Sequence, residues 1–154
     1  MLSPEDKLKG LGIELPAAPA PVGSYVPCVK TENLLFLSGI LPFRDGKLTR
    51  TGRVGETVTL DEAREDAKQI VINALSVARS YLGNLDKIVR CVKLNGYVSS
   101  ANDFIDQPKV LNTASDLLRD IFGDAGKHAR AAVGVPALPL NSPVEIDFIF
   151  EIKP

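Results

Sequence analysis

The chain has one histidine, two cysteines and no run of basic residues, and each shortage removes a class of function. With His128 as the sole imidazole, a Ser-His-Asp triad has one possible base, and a metal site would rest almost wholly on carboxylates. Neither histidine chemistry nor a metal centre is expected. Cys28 and Cys91 lie far apart, with no CxxC pair and no His-rich neighbour, which points away from a zinc or dithiol site and leaves two buried free thiols. The 18 Lys and Arg against 19 Asp and Glu leave a net charge of -1, and no basic stripe could neutralise a row of phosphates. Nucleic acid is not an expected partner. Gly-rich fingerprints of the GxGxxG or GxxxxGK type are missing, so no nucleotide is implied, and no cofactor is expected. No apolar stretch approaches the roughly 20 residues that span a bilayer, and MLSPEDKLKGLGIEL lacks the basic-then-apolar layout of a secretory signal. The expected location is the cytoplasm.

What remains is an ordinary globular composition, 45% hydrophobic and 24% charged over 154 residues, which suits one domain with one core. Residues 1–23, with prolines clustered between Pro16 and Pro21, read as an extended lead-in, and residues 24–154 as the single domain. Tyr25–Lys30 and Leu34–Ser38 are β-favouring runs at hairpin spacing, followed by an Asp45-Gly46 turn. Thr59-Leu60-Asp61-Glu62 has capping-box form and opens a helix whose stripe Ala63, Ala67, Ile70, Val71, Ala74, Ala78, Leu82 ends before Gly83. Ile88–Val98 is apolar on both alternations and reads as an interior strand. Asp106-Gln107-Pro108 opens a second helix ending before Gly123, and Ala129–Val135 and Val144–Glu151 are closing strands. The order is ββαβαββ, a two-layer α+β domain with two helices on one face of a mixed sheet. The other face, of mixed polarity, is a platform for self-association.

Arg130 shares its side of a strand with the small residues Ala132 and Gly134, which leaves room for its guanidinium to present a planar fork to a carboxylate. The same spacing also fits an ion pair with a local acid such as Glu145 or Asp147, and pattern alone leaves both open. Glu145, on the exposed alternation of the last strand, is a candidate to orient water or move a proton, or else a solvated glutamate. Tyr25 can offer a hydroxyl or packing. Gly39, just after a β run, can let a small ligand approach the backbone. His128, in a loop before Arg130, reads as loop packing.

Arg130-Ala131-Ala132-Val133, then Leu138-Pro139, then Val144-Glu145-Ile146-Asp147 together resemble the C-terminal signature of the RidA/YjgF family, also named the endoribonuclease L-PSP family. Gly23-Ser24-Tyr25, Leu37-Ser38-Gly39 and Asn112 are similar to its upstream motifs, so the resemblance covers about residues 22–152. It implies a chorismate-mutase-like fold, a homotrimer with pockets between subunits, and hydrolytic deamination of 2-iminoacids or 2-aminoacrylate to 2-ketoacids and ammonia. In that scheme Arg130 and Glu145 are catalytic, with Arg130, Tyr25, Gly39 and Asn112 binding the substrate. Such a reaction needs positioning and electrostatics more than a strong nucleophile. The alternatives are a 2-ketoacid binding module without catalysis and, less favoured by the charge balance, an endoribonuclease. Ile40 and Ala132 stand where the family commonly has Gln and Cys, which marks a divergent subgroup.

Overall fold

The computed structural model describes residues 1–20 and 23–154. Local signals set the helices. The Thr59 side chain accepts from the Glu62 backbone N–H while the Glu62 carboxylate accepts from the Thr59 N–H, and α2 runs Leu60–Leu82 from this box to Gly83, whose φ of 92° closes the last turn. Pro108 lies in the first turn of α3, Gln107–Phe122. The expected hairpin is strands β1 (Cys28–Thr31) and β2 (Leu34–Leu37), paired antiparallel. Asp45 and Gly46, both at positive φ, turn a two-stranded ribbon of β3 (Phe43–Arg44) and β4 (Lys47–Leu48).

The main sheet adds β5 (Ile88–Ser99), β6 (Ala129–Val135) and β7 (Val144–Ile152) in the order β1-β2-β7-β5-β6. β5 and β6 run parallel and every other pair is antiparallel, so α3 is the crossover that a parallel pair requires. On β7 the residues Val144, Ile146, Phe148, Phe150 and Ile152 are buried and the intervening ones half-buried, the alternation of a sheet covered on one face. The Phe148 and Phe150 rings stack 5.8 Å apart on the strand that packs under α2. This is the two-layer mixed α+β arrangement read from the sequence. The open face carries exposed Val29, Phe36 and Val133.

The lead-in, read as extended, begins with a helix, α1 (Pro4–Gly10), closed by a Ser3–Asp6 capping box. Leu8 is buried against the core, and Glu5 accepts from the Leu85 backbone N–H at 2.7 Å. Pro21 and Val22, the last part of the proline cluster, lie outside the described residues. Cys28 and Cys91 are buried free thiols, and burial pushes Cys91 up to about 12. Among the described residues no helix is long and apolar enough to cross a membrane.

One buried carboxylate makes the fold pH-sensitive. Asp66 is 4% exposed; its Oδ1 accepts from Arg50 Nη1 at 2.9 Å and its Oδ2 has no partner among the described residues. Burial outweighs the attraction of Arg50 and raises its carboxyl to about 6. A carboxyl raised in the folded state binds its proton more tightly there than in the unfolded chain. Its contribution therefore favours folding at low pH and is lost as pH rises from about 4 through about 6. At ~1.36 kcal/mol per pKa step the ceiling is roughly 3 kcal/mol. Urea unfolding at pH 4.5 and pH 7 is expected to show this decline in the wild type and a flatter profile in Asp66→Asn; equal slopes in both would remove Asp66 as the cause.

A candidate active site divided between two faces of the sheet

β6 is an edge strand, and its Arg130 lies beside Leu94 of β5, a fully buried residue on the helix-covered face. The Arg130 side chain accordingly meets α3, where Nη1 donates to Asn112 Oδ1 at 2.9 Å and to Ser115 Oγ at 3.2 Å. Asn112 and Ser115 are three residues apart and so share one helix face. Ser115 Oγ is 2.9 Å from His128 Nε2, and His128 Nδ1 is 2.7 Å from the Gly126 carbonyl. A carbonyl only accepts, which assigns the imidazole proton to Nδ1 and makes Nε2 the acceptor of the Ser115 hydroxyl. That leaves a serine lone pair for Arg130. Burial first, and the nearby Arg130 charge as well, lower the His128 pKa, which keeps the ring neutral.

The ion pair with a local acid does not form. Asp147 accepts instead from Asn95 Nδ2 at 2.8 Å and from the Tyr97 hydroxyl at 3.0 Å. Glu145 pairs across the ladder with Tyr97, on the open face opposite Arg130. Among the described residues Arg130 has no salt bridge, and its Nε and Nη2 donate to nothing. A guanidinium held by one nitrogen, with its other edge free, can receive a carboxylate through two parallel hydrogen bonds.

Glu145 occupies the second cluster. Burial, then the negative Asp147 nearby, raise its pKa above the ordinary glutamate value. Its carboxylate lies over the backbone of Gly39: a Cβ at that position would stand 2.9 Å from Glu145 Oε2. The approach needs glycine for space and not for a special φ. Ile40 bridges to Ile146 and ties this turn to β7, while Ser38 Oγ donates to the Val26 carbonyl at 2.6 Å. Tyr25, Gly39 and Glu145 line one pocket of about 190 Å³.

Of the five residues singled out in the sequence, Tyr25, Gly39 and Glu145 thus meet at one pocket, Arg130 and Asn112 meet at another place, and within one chain the two groups occupy opposite faces. Sequence reading overlooked Ser115 and took His128 for loop packing. The available signal was spacing: Ser115 repeats the helix face of Asn112, and His128 precedes Arg130 by two residues and so shares its side of the chain.

A family model described as YjgF/chorismate mutase-like matches residues 5–152, and so includes most of the lead-in. Protein TCP17 of Trypanosoma cruzi is 42% identical over 147 residues, covering 95% of this chain and 92% of that one. The 2-iminobutanoate/2-iminopropanoate deaminase of Dermatophagoides farinae is 30% identical over 92% of this chain and 95% of its own. Among solved structures, an endoribonuclease candidate from Shewanella oneidensis superposes with a TM-score of 0.95 at 34% identity, covering 98% of this chain and 100% of that one.

Proposed function

The chain belongs to the YjgF/chorismate mutase-like family, and on that premise we propose that it hydrolyses reactive 2-iminoacids, 2-aminoacrylate among them, to 2-ketoacids and ammonia. The observation that carries the proposal is the free Nε and Nη2 edge of Arg130, fixed by Asn112 and Ser115 and paired with no acid among the described residues. A substrate carboxylate there accepts two charge-assisted hydrogen bonds, which orients the adjacent C=N carbon. Glu145, with its raised pKa, takes a proton from water as the oxygen adds to that carbon. It returns that proton to nitrogen to give the carbinolamine, then moves the hydroxyl proton to the same nitrogen as the C=O bond forms and the C–N bond breaks: one imine and one water give one ketoacid and one ammonia.

Arg130 and Glu145 serve one substrate only if two copies of the chain contribute to each site, so we place the site in a homotrimer. The exposed Val29, Phe36 and Val133 of the open face support that association. Light scattering should give the mass of three chains.

The test is ketoacid release from freshly generated 2-aminoacrylate and other iminoacids, compared with the uncatalysed rate. Acceleration supports the deaminase. Thermal stabilisation by 2-ketoacids with no acceleration of any imine replaces it with a carboxylate-binding module. Within the active protein, Glu145→Gln keeps the shape of the side chain and removes the base; kcat should fall about 10²–10⁴-fold with KM little changed. Wild-type kcat should also fall as pH drops through the Glu145 pKa and Glu145 takes up a proton. An unaltered kcat in the glutamine variant would take Glu145 out of the proton transfer.

A further inference from the structure

The pocket beside Glu145 has walls that the proposed chemistry does not use, and they bear on which imine enters. Its apolar lining includes Pro19, Ala20, Ile40, Leu41, Phe43 and Val77. Pro19 and Ala20 belong to the lead-in, Leu41 and Phe43 to the segment after Gly39, and Val77 to α2. The polar groups are few. Ser38 Oγ is already committed to the Val26 carbonyl, Tyr25 lines the wall, and Glu145 lies over Gly39. No lysine or arginine lines the pocket among the described residues. A second carboxylate on a substrate side chain would face Glu145 with no cation to offset it, and an uncharged polar group would find few partners.

Resting on the deaminase reading, we propose that this pocket receives the substrate's side chain, and that the preferred substrates are 2-iminoacids with apolar side chains of four to seven carbons, branched aliphatic or benzyl. The volume supports that range. About 190 Å³ is several times the ~30 Å³ a water molecule takes in the liquid, yet below the ~300 Å³ where drug-sized ligands begin. A lone methyl side chain leaves most of the wall uncovered. Each further buried carbon is worth roughly a fourfold gain in affinity. The lead-in and Ile40 are then specificity elements: together they close the outer and inner sides of a slot that starts at the reacting carbon.

Binding of the 2-ketoacid products tests this without relying on turnover. Calorimetric titration of the full chain with pyruvate, 4-methyl-2-oxopentanoate, phenylpyruvate and 2-oxoglutarate is expected to give Kd values at least ~10-fold lower for the two large apolar acids than for pyruvate. 2-Oxoglutarate should bind most weakly. Ala20→Phe places a ring in the slot from the solvent side, and the ratio of 4-methyl-2-oxopentanoate to pyruvate affinity should collapse toward one. Pyruvate or 2-oxoglutarate binding as tightly as the large apolar acids overturns the proposal, as does an unchanged ratio in Ala20→Phe or no binding of any ketoacid. Ketoacid release from imines, measured separately, shows whether the deaminase reading stands or falls with it.

Discussion

Arg130→Ala is expected to lower kcat/KM for any accepted iminoacid by about 10²–10⁴-fold, the value of two hydrogen bonds to a charged group at ~1.5–3 kcal/mol each. The fold should survive. Arg130 is half-buried on an edge strand and balances no acid among the described residues, so its removal strands no buried charge. Asn112 and Ser115 each lose one donor, and the change in unfolding free energy should stay within about 1–2 kcal/mol. Arg130→Lys separates charge from geometry. An ammonium restores the positive charge but cannot donate two parallel hydrogen bonds while holding Asn112 and Ser115. It should recover less than about a tenth of the wild-type rate; full activity in the lysine variant would show that charge alone suffices and would sink the bidentate grip.

The largest loss of stability should come from Gly126→Ala. A Cβ at Gly126 would run into the Leu118 carbonyl and stand 2.9 Å from Arg119 Cα, all backbone in the last part of α3. Backbone in a packed helix cannot step aside as a flexible side chain can, so we expect a cost of about 3 kcal/mol or more. For a chain of this length that lowers Tm by roughly 6–12 °C. The Gly126 carbonyl also accepts from His128 Nδ1, so the same substitution should disturb the Ser115 hydroxyl and with it Arg130. Gly10→Ala is the matched control, since a Cβ there meets nothing within 4 Å, and it should change stability by under about 1 kcal/mol. Equal Tm values for the two variants would contradict the close approach.

How much of this was readable in the sequence depended on how local the cause was. The ends of α2 and α3 were legible because Thr59, Glu62, Gly83 and Pro108 act within a turn of where they stand. The lead-in helix was missed although Ser3 and Asp6 make the same kind of box. The nearby prolines suggested an extended chain, and a helix of seven residues depends on contacts from far along the sequence, here Leu8 in the core and Glu5 on Leu85. Strand alternation grouped Arg130 with Ala132 and Gly134 and Glu145 with Asp147. It could not say that the two groups face opposite ways, because that relation is set by the registers of β6 and β7 on the intervening β5. The choice between a free Arg130 and an ion-paired one was therefore open in the sequence and closed only by the sheet.

β7 has a consequence for how the site comes into being. It is the last strand in chain order, yet it lies between β2 and β5. Before it inserts, the hairpin leading to Gly39 and the β5–β6 pair bearing Arg130 share no ladder, and Glu145 arrives on the inserting strand itself. β7 is thus a keystone: the Arg130 cradle can form within its own local helix-and-strand unit, whereas the slot beside Glu145 waits for segments distant in sequence to meet.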